Sequence, residues 1–219
     1  MIQAVTTDAT IPWQAVLQAY ANGVFPMAQE AASNQLYWLS PDPRAHLPLD
    51  GFHLPRSLRK VLRRCPFEVR YDSAFTEVLD GCAGGTAARP ETWINAPVRR
   101  AFLDLFHMGF AHSVECWQDG KLVGGLYGLS IGSAFFGESM FSRADNASKV
   151  ALWHLVATLR ANNFTLLDIQ FMTPLFAAFG AVEEQRSAFL PRLAEAVSQN
   201  ARFIPAPAST ALPGAAEAA

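Results

Sequence analysis

Cysteine is scarce in this chain, and charge is scarcer than usual. Three cysteines in 219 residues, Cys65, Cys82 and Cys116, are an odd number with no C-x-x-C pair, so a disulfide framework and a zinc site are both poor readings. His46, His53, His107 and His154 show no ligand spacing, and no metal is expected. No apolar run reaches the roughly 18 residues that a membrane span needs. Met1 to Asp8 lacks both the basic and the apolar region of a secretory signal, and a soluble cytoplasmic protein is expected. Neither G-x-x-x-x-G-K-[ST] nor G-x-G-x-x-G occurs, which removes the common phosphate loops. His112-Ser113 with a distant Asp would suit a hydrolase triad, but the G-x-S-x-G elbow is missing. Charged residues make up 16% of the chain and the net charge is −2.

Apolar residues are plentiful, at 51%, enough to bury a sizeable core. Ile11 to Tyr20 reads as an amphipathic helix ended by Gly23, and Gly23 to Met27 as a turn into an irregular apolar segment. Leu36 to Leu39 reads as a short strand. The paired prolines of Ser40-Pro41-Asp42-Pro43-Arg44 forbid regular structure and mark the best domain boundary. A small N-terminal domain over 1–45, a larger domain over 46–204 and a low-complexity tail over 205–219 follow from this.

The second segment alternates strands with helices. Phe67 to Tyr71 is a strand, and Asp72 or Ser73 can cap a helix through Cys82. Ala83 to Pro90 is a loop of small residues. Asn95 opens a helix reaching Met108, stopped by Gly109. His112–Trp117 and Lys121–Tyr127 flank Asp119-Gly120, a strong hairpin signal. Ser133–Glu138 is a third strand, Ala147–Leu159 a long helix, Leu166–Gln170 another strand, Pro174–Phe179 a short helix, and Ser187–Val197 the last helix. The pattern gives an α+β fold, or an α/β acyltransferase-like one, with a mainly antiparallel sheet flanked by helices.

Two polar clusters stand out. Glu138 lies between Phe136 and Met140, and Asp168 and Gln170 follow a run of leucines. Burying such groups unpaired costs roughly 2–7 kcal/mol each, so they pair with one another or face a polar ligand. Asp168 and Gln170 share a strand face, where the carboxylate can fix the orientation of the Gln amide. Alternatively, Asp168 caps the next turn while Gln170 faces solvent. Arg56, Arg59, Lys60, Arg63 and Arg64 recur at i, i+3, i+4, i+7 and i+8, one basic face of a helix between Pro55 and Pro66. That face suits either plain solvation or a phosphate backbone.

Several segments together resemble the leucyl/phenylalanyl-tRNA–protein transferases. They are Tyr20-Ala21-Asn22-Gly23-Val24-Phe25-Pro26, Trp38 to Arg44, Thr92-Trp93-Ile94, His112 to Glu115, Leu122 to Gly128, Gly137 to Arg143 and Asp168-Ile169-Gln170. The likeness runs in order from about Tyr20 to about Val197. It implies a small N-terminal domain followed by a GNAT-like domain. It also implies transfer of Leu or Phe, and less well Met, from aminoacyl-tRNA to proteins with N-terminal Arg or Lys, marking them for N-degron degradation.

The resemblance implies site residues as well. Gln170 would position or polarise the attacking amine, Asp168 would hold Gln170, and Glu138 would lie at the same centre and help position the cationic acceptor. Trp93, Phe102, Leu126, Phe135, Gly137, Leu167 and Met27 would line the pocket for the apolar amino acid and the terminal adenosine. Arg56, Arg59, Lys60, Arg63 and Arg64, with Arg99 and Arg100, would contact tRNA. The partners implied are Leu-tRNA or Phe-tRNA and the acceptor protein, with no cofactor, no metal and no membrane, for a monomer. The family commonly has Trp at Met27, Tyr at Phe102 and Met at Leu126, so an indole near the adenosine is lost and the Leu/Phe preference stays open. An acyl-CoA-dependent or Fem-type acyltransferase on the same core is the enzyme alternative, although no Q/R-x-x-G-x-G/A turn is found. A non-catalytic RNA-binding module is the other alternative, and it leaves Glu138, Asp168 and Gln170 unexplained.

Overall fold

The computed structural model describes residues 3–6, 11–33, 35–64, 66–84 and 92–205. Cys65, most of the loop expected over Ala83 to Pro90, and the tail beyond Pro205 lie outside the described residues.

The first segment holds β1 (Gln3–Thr6), α1 (Trp13–Ala21), β2 (Phe25–Ala28) and β3 (Gln35–Leu39). Its strands form an antiparallel sheet of order β1-β3-β2. The apolar stretch expected to be irregular is thus strand β2. Its Pro26 is accommodated because β2 is an edge strand, where a missing N–H donor costs no ladder bond.

The remaining elements are β4 (Arg44–His46), α2 (Arg56–Arg64), β5 (Glu68–Tyr71), α3 (Phe75–Ala83), α4 (Ala96–His107), β6 (Ala111–Gln118), β7 (Lys121–Ile131), β8 (Ala134–Ser142), α5 (Ala147–Ala161), β9 (Leu166–Gln170), α6 (Pro174–Ala178), β10 (Val182–Glu184) and α7 (Arg186–Ser198). They build a seven-stranded sheet of order β10-β4-β9-β8-β7-β6-β5. Strand β4 begins at Arg44, inside the segment the prolines were expected to keep irregular, and pairs with both β9 and β10. Short strands such as β1, β4 and β10 carry too few residues to reveal a period, so only their partners define them.

Local chemistry explains both ends of α4 and the start of α6. In α4 the Asn95 Oδ1 accepts the Val98 N–H at 3.0 Å, and Gly109, at φ 77°, turns the chain out of the helix. In α6 Thr173 caps Phe176 at 3.2 Å, with Pro174 in the first turn. Leu58 and Leu62 are buried one turn apart on α2, which leaves its five cations exposed. Asp119 and Gly120 both have positive φ, as a type I′ hairpin turn requires.

Two apolar clusters lie on opposite faces of the large sheet. One gathers α1, α3, α4, α7 and the small sheet around Tyr20, Phe75, Phe102, Phe136 and Leu193. The other gathers α2 and α5 around Leu58, Leu62, Leu152, Leu155 and Leu167.

All pairings in the large sheet are antiparallel except β8 with β9, which are joined by the α5 crossover. That parallel ladder ends at Phe136 opposite Asp168, although β8 runs on to Ser142 and β9 to Gln170. Beyond it the strands diverge. On the other side of β8, Gly128 opposes Gly137 and Tyr127 opposes Ser139, so Glu138 is the extra residue of a bulge. A Cβ on Gly128 would stand 2.3 Å from the Phe136 carbonyl oxygen, which explains a glycine there.

Candidate active site

Leu167 and Ile169 point into the cluster against α5, so Asp168 faces the opposite side, towards the small sheet. It is completely buried. Arg44 reaches it from β4, with Nε to Oδ1 at 2.9 Å and Nη2 to Oδ2 at 2.5 Å. The remaining guanidinium nitrogen donates to the Gly23 carbonyl at 3.1 Å, tying the turn before β2 to the end of β9. The Arg44 guanidinium also packs against the rings of Phe25 and Phe189, at 4.9 and 5.2 Å.

The link between Asp168 and Gln170 differs from the side-chain contact expected. Asp168 Oδ1 accepts the main-chain N–H of Gln170 at 3.0 Å. Gln170 has φ of 60°, so the strand ends there in a left-handed turn, and the two side chains do not run parallel. Its Nε2 is buried and makes no hydrogen bond.

Glu138, raised out of the ladder by the bulge, has a buried Oε1 that is likewise unpartnered. Burial pushes its carboxyl up to about 8; the Tyr20 hydroxyl opposes that rise, the Asp168 charge adds to it, and the Arg44 charge opposes it. Tyr20, fully buried on α1, stands beside the carboxyl without the geometry of a hydrogen bond. Its own hydroxyl is raised well above the usual phenol range, first by burial and then by the Glu138 charge. Buried polar atoms without partners are rare in folded proteins, and three at one place, on Tyr20, Glu138 and Gln170, point to a ligand.

Both Glu138 and Gln170 line two adjoining cavities. The larger, about 300 Å³, opens where β8 and β9 diverge and is bounded by Leu126, Gly137, Met140, Leu155, Leu167 and Ile169, with Leu175 and Phe176 of α6 across it. The smaller, about 70 Å³, is bounded by Phe25, Met27 and Trp93. Phe171 belongs to both walls. It is 45% exposed and meets Phe25 edge-to-face at 5.9 Å. An apolar chamber and a small aromatic one therefore share a septum carrying one carboxyl and one amide.

Of the residues expected at the pocket, Leu126, Gly137 and Leu167 line the larger cavity, and Met27 and Trp93 the smaller. Phe102 and Phe135 line neither. Phe102 is fully buried, edge-on to Tyr127 at 5.2 Å, and Phe135 is packed against Phe164 and Phe203 on the other face of the sheet. The basic residues of α2 are all exposed, whereas Arg99 is held by Asp80 at 2.7 Å. Arg99 and Arg100 sit on α4, across the sheet from α2, so the fold does not join them into one basic surface with Arg56 to Arg64.

The polar cluster around Glu115 is internally satisfied. Glu115 accepts from Ser73, Ala74, Ser113 and Trp117, which fixes the start of α3. Ser113 Oγ therefore serves Glu115 while His112 pairs with Asp72 at 2.8 Å, and no hydrolase triad forms. Among the described residues no group of three or more His, Cys, Asp or Glu could hold a metal ion, and no helix is long and apolar enough to cross a membrane.

Sequence reasoning missed Arg44, Tyr20 and Phe171 as site residues. Tyr20 and Arg44 stand in segments that carry the family resemblance, but no spacing or period marks either as a site residue. Phe171 directly follows Gln170, and that adjacency was the one available hint.

Residues 46–194 match the family model described as leucyl/phenylalanyl-tRNA protein transferase, and residues 13–42 match the model of that enzyme's N-terminal domain. The leucyl/phenylalanyl-tRNA–protein transferase of Paramagnetospirillum magneticum is 56% identical over 86% of this chain and 90% of its own length. That of Rhodospirillum rubrum is 58% identical over 83% and 85%. Among solved structures, the C-terminal domain (DUF2156) of a putative lysylphosphatidylglycerol synthetase from Agrobacterium fabrum matches with a TM-score of 0.46 at 13% identity, over 80% of this chain and 64% of that one.

Proposed function

The chain belongs to the leucyl/phenylalanyl-tRNA protein transferase family, and from that premise we propose the substrates and the roles of its residues. It is an aminoacyltransferase that moves an amino acid from aminoacyl-tRNA to a protein. The donors are Leu-tRNA and Phe-tRNA, the acceptors are proteins with N-terminal Arg or Lys, and the enzyme acts as a monomer in the cytoplasm.

The observation that carries this reading is the septum, where Glu138 Oε1 and Gln170 Nε2 are buried and unpartnered between an apolar cavity and an aromatic one. An aminoacyl ester is already activated, so the protein needs no covalent nucleophile. It has to hold the amine against the ester carbonyl and stabilise the oxyanion that forms. The amino-acid side chain enters the larger cavity, against Leu126, Met140, Leu155 and Leu167. The terminal adenosine lies over Trp93 and Phe171, whose rings offer a stacking face in place of the indole lost at Met27. Gln170 Nε2 donates to the ester carbonyl oxygen as it becomes an oxyanion. Asp168 and Arg44 act through Gln170 as positioning residues.

The α2 cations Arg56, Arg59, Lys60, Arg63 and Arg64 contact the tRNA backbone rather than its sequence. A pocket that recognises hydrocarbon alone discriminates by about 1–3 kcal/mol per methylene, so overlapping use of Leu, Phe and Met follows.

The test is transfer of labelled Leu and Phe from their tRNAs to peptides beginning with Arg, Lys or Glu, with N-acetylated Arg as control. Transfer to free Arg and Lys alone is expected. Transfer to Glu would sink the acceptor rule, and no transfer at all would sink the reaction.

A further inference from the structure

Asp168 is closed off. Arg44 occupies both its oxygens, Oδ1 also takes the Gln170 N–H, and the residue lines neither cavity of the site. Glu138 is placed in the opposite way. It lines both cavities, its Oε1 has no hydrogen-bond partner, and the β8 bulge points it at the septum beside Gln170. We propose that Glu138, rather than Asp168, accepts the proton that the acceptor's α-amine loses during peptide-bond formation. This rests on the transferase reading above and assigns the proton within it.

The step balances. The neutral amine attacks the ester carbonyl carbon, a C–N bond forms, and the carbonyl electrons move onto the oxygen held by Gln170. The nitrogen, now cationic, passes a proton to the Glu138 carboxylate. The carbonyl re-forms as the C–O bond to the ribose breaks, and Glu138 returns the proton to the departing ribose oxygen. The carboxylate is regenerated for the next turnover.

The groups facing Glu138 suit that exchange. Tyr20 approaches from α1, Arg44 from β4, and Asp168 and Gln170 from β9. Burial raises its carboxyl to about 8, with Asp168 adding to the rise and Tyr20 and Arg44 opposing it, close to the ~7.7–8.0 of an α-amino group. A proton moves with little bias between groups so matched, and this is where a general base is most effective near neutral pH. Arg44 and Asp168 largely cancel each other's charge, so they tune Glu138 weakly and anchor the backbone of Gln170 strongly.

The experiment measures kcat and its pH dependence for Phe transfer from Phe-tRNA to two acceptors. One is an Arg-initiated peptide. The other is its aminooxy analogue, whose weakly basic amine stays neutral across the range, so that an acidic limb does not come from the acceptor and its loss in the Glu138 variant assigns it. In the wild type, kcat for the analogue falls as pH drops through the Glu138 ionisation. Glu138→Gln is expected to lose about 10²–10⁴ in kcat, to keep its tRNA affinity within about twofold, and to lose the limb. Glu138→Asp, the check against misfolding, keeps a limb displaced in pH. A Gln variant with wild-type kcat, or one that is slowed but keeps the same limb, would overturn the assignment. So would an Asp variant without a limb. A wild-type protein that transfers to neither acceptor would instead bring down the transferase reading itself, and this assignment with it.

Discussion

Arg44 and Asp168, 124 residues apart, meet in a two-pronged ion pair in which neither side chain is more than 2% exposed. The pair joins the turn before β2, through Gly23, to the end of β9 where Gln170 begins its left-handed turn. Removing one partner of such a pair strands the other charge in the interior, which costs far more than the pair contributes.

Arg44→Ala is accordingly expected to destabilise the protein by about 3–5 kcal/mol, a fall in Tm of roughly 6–20 °C for a chain of this length. Calorimetry measures it. Arg44→Lys keeps the charge but not the planar fork, so it should recover much of the stability while kcat stays low because Gln170 is less firmly held. A change in Tm below about 2 °C for the Ala variant would show that the pair anchors nothing.

Glu138 should leave a signature in stability as well as in rate. Its carboxyl titrates near 8 when folded and near the ordinary 4.5 when unfolded. Between those values the folded state binds the extra proton, so this group makes stability fall as pH rises from about 5 to 8. His154 has the opposite sign and a lower window. Burial holds its imidazole down at about 4, so its contribution to stability rises with pH between about 4 and 6.5. Subtracting the Tm–pH curve of Glu138→Gln from that of the wild type isolates the first effect. A flat difference between pH 5 and 8 would mean that Glu138 is ordinarily ionised.

Gly137 offers a test of the larger cavity. A Cβ there would have no neighbour closer than 3.8 Å, so an added side chain projects into the cavity rather than into the sheet. Gly137→Val removes room for a ring before it removes room for an isobutyl group. The ratio of kcat/KM for Phe over Leu is expected to fall about tenfold or more, in line with ~1–3 kcal/mol per displaced methylene. An unchanged ratio would place the amino-acid side chain elsewhere.

The basic face of α2 is separable from Arg99 and Arg100 because the sheet lies between them. Changing Arg59, Lys60 and Arg63 together to Ala should weaken tRNA binding and reduce the slope of log K against log[salt] by about two to three. Changing Arg99 and Arg100 to Ala should leave that slope alone. The reverse pattern would move the tRNA to the other side of the molecule.

The amino-acid sequence by itself determined whatever depends on neighbours along the chain. The spacing of the cations between Pro55 and Pro66 fixes α2, the Asp119-Gly120 turn fixes the β6–β7 hairpin, and Asn95 and Pro174 mark two helix starts, because each signal acts within a few residues. The segments around Glu138 and Asp168-Ile169-Gln170 could also be recognised from their order alone, as polar groups set in apolar surroundings.

Only the tertiary structure decided what those groups touch. Arg44 and Tyr20 enter the site from elements far away in the chain, Arg44 being 124 residues from Asp168, through contacts that no period encodes. The parting of β8 from β9 creates the cavity, and the bulge at Glu138 turns its carboxyl towards it, because register is settled between strands rather than within one. Phe102 and Phe135 are apolar like the residues that do line the pocket. Which apolar side chains face a cavity and which fill the core depends on packing that composition cannot distinguish.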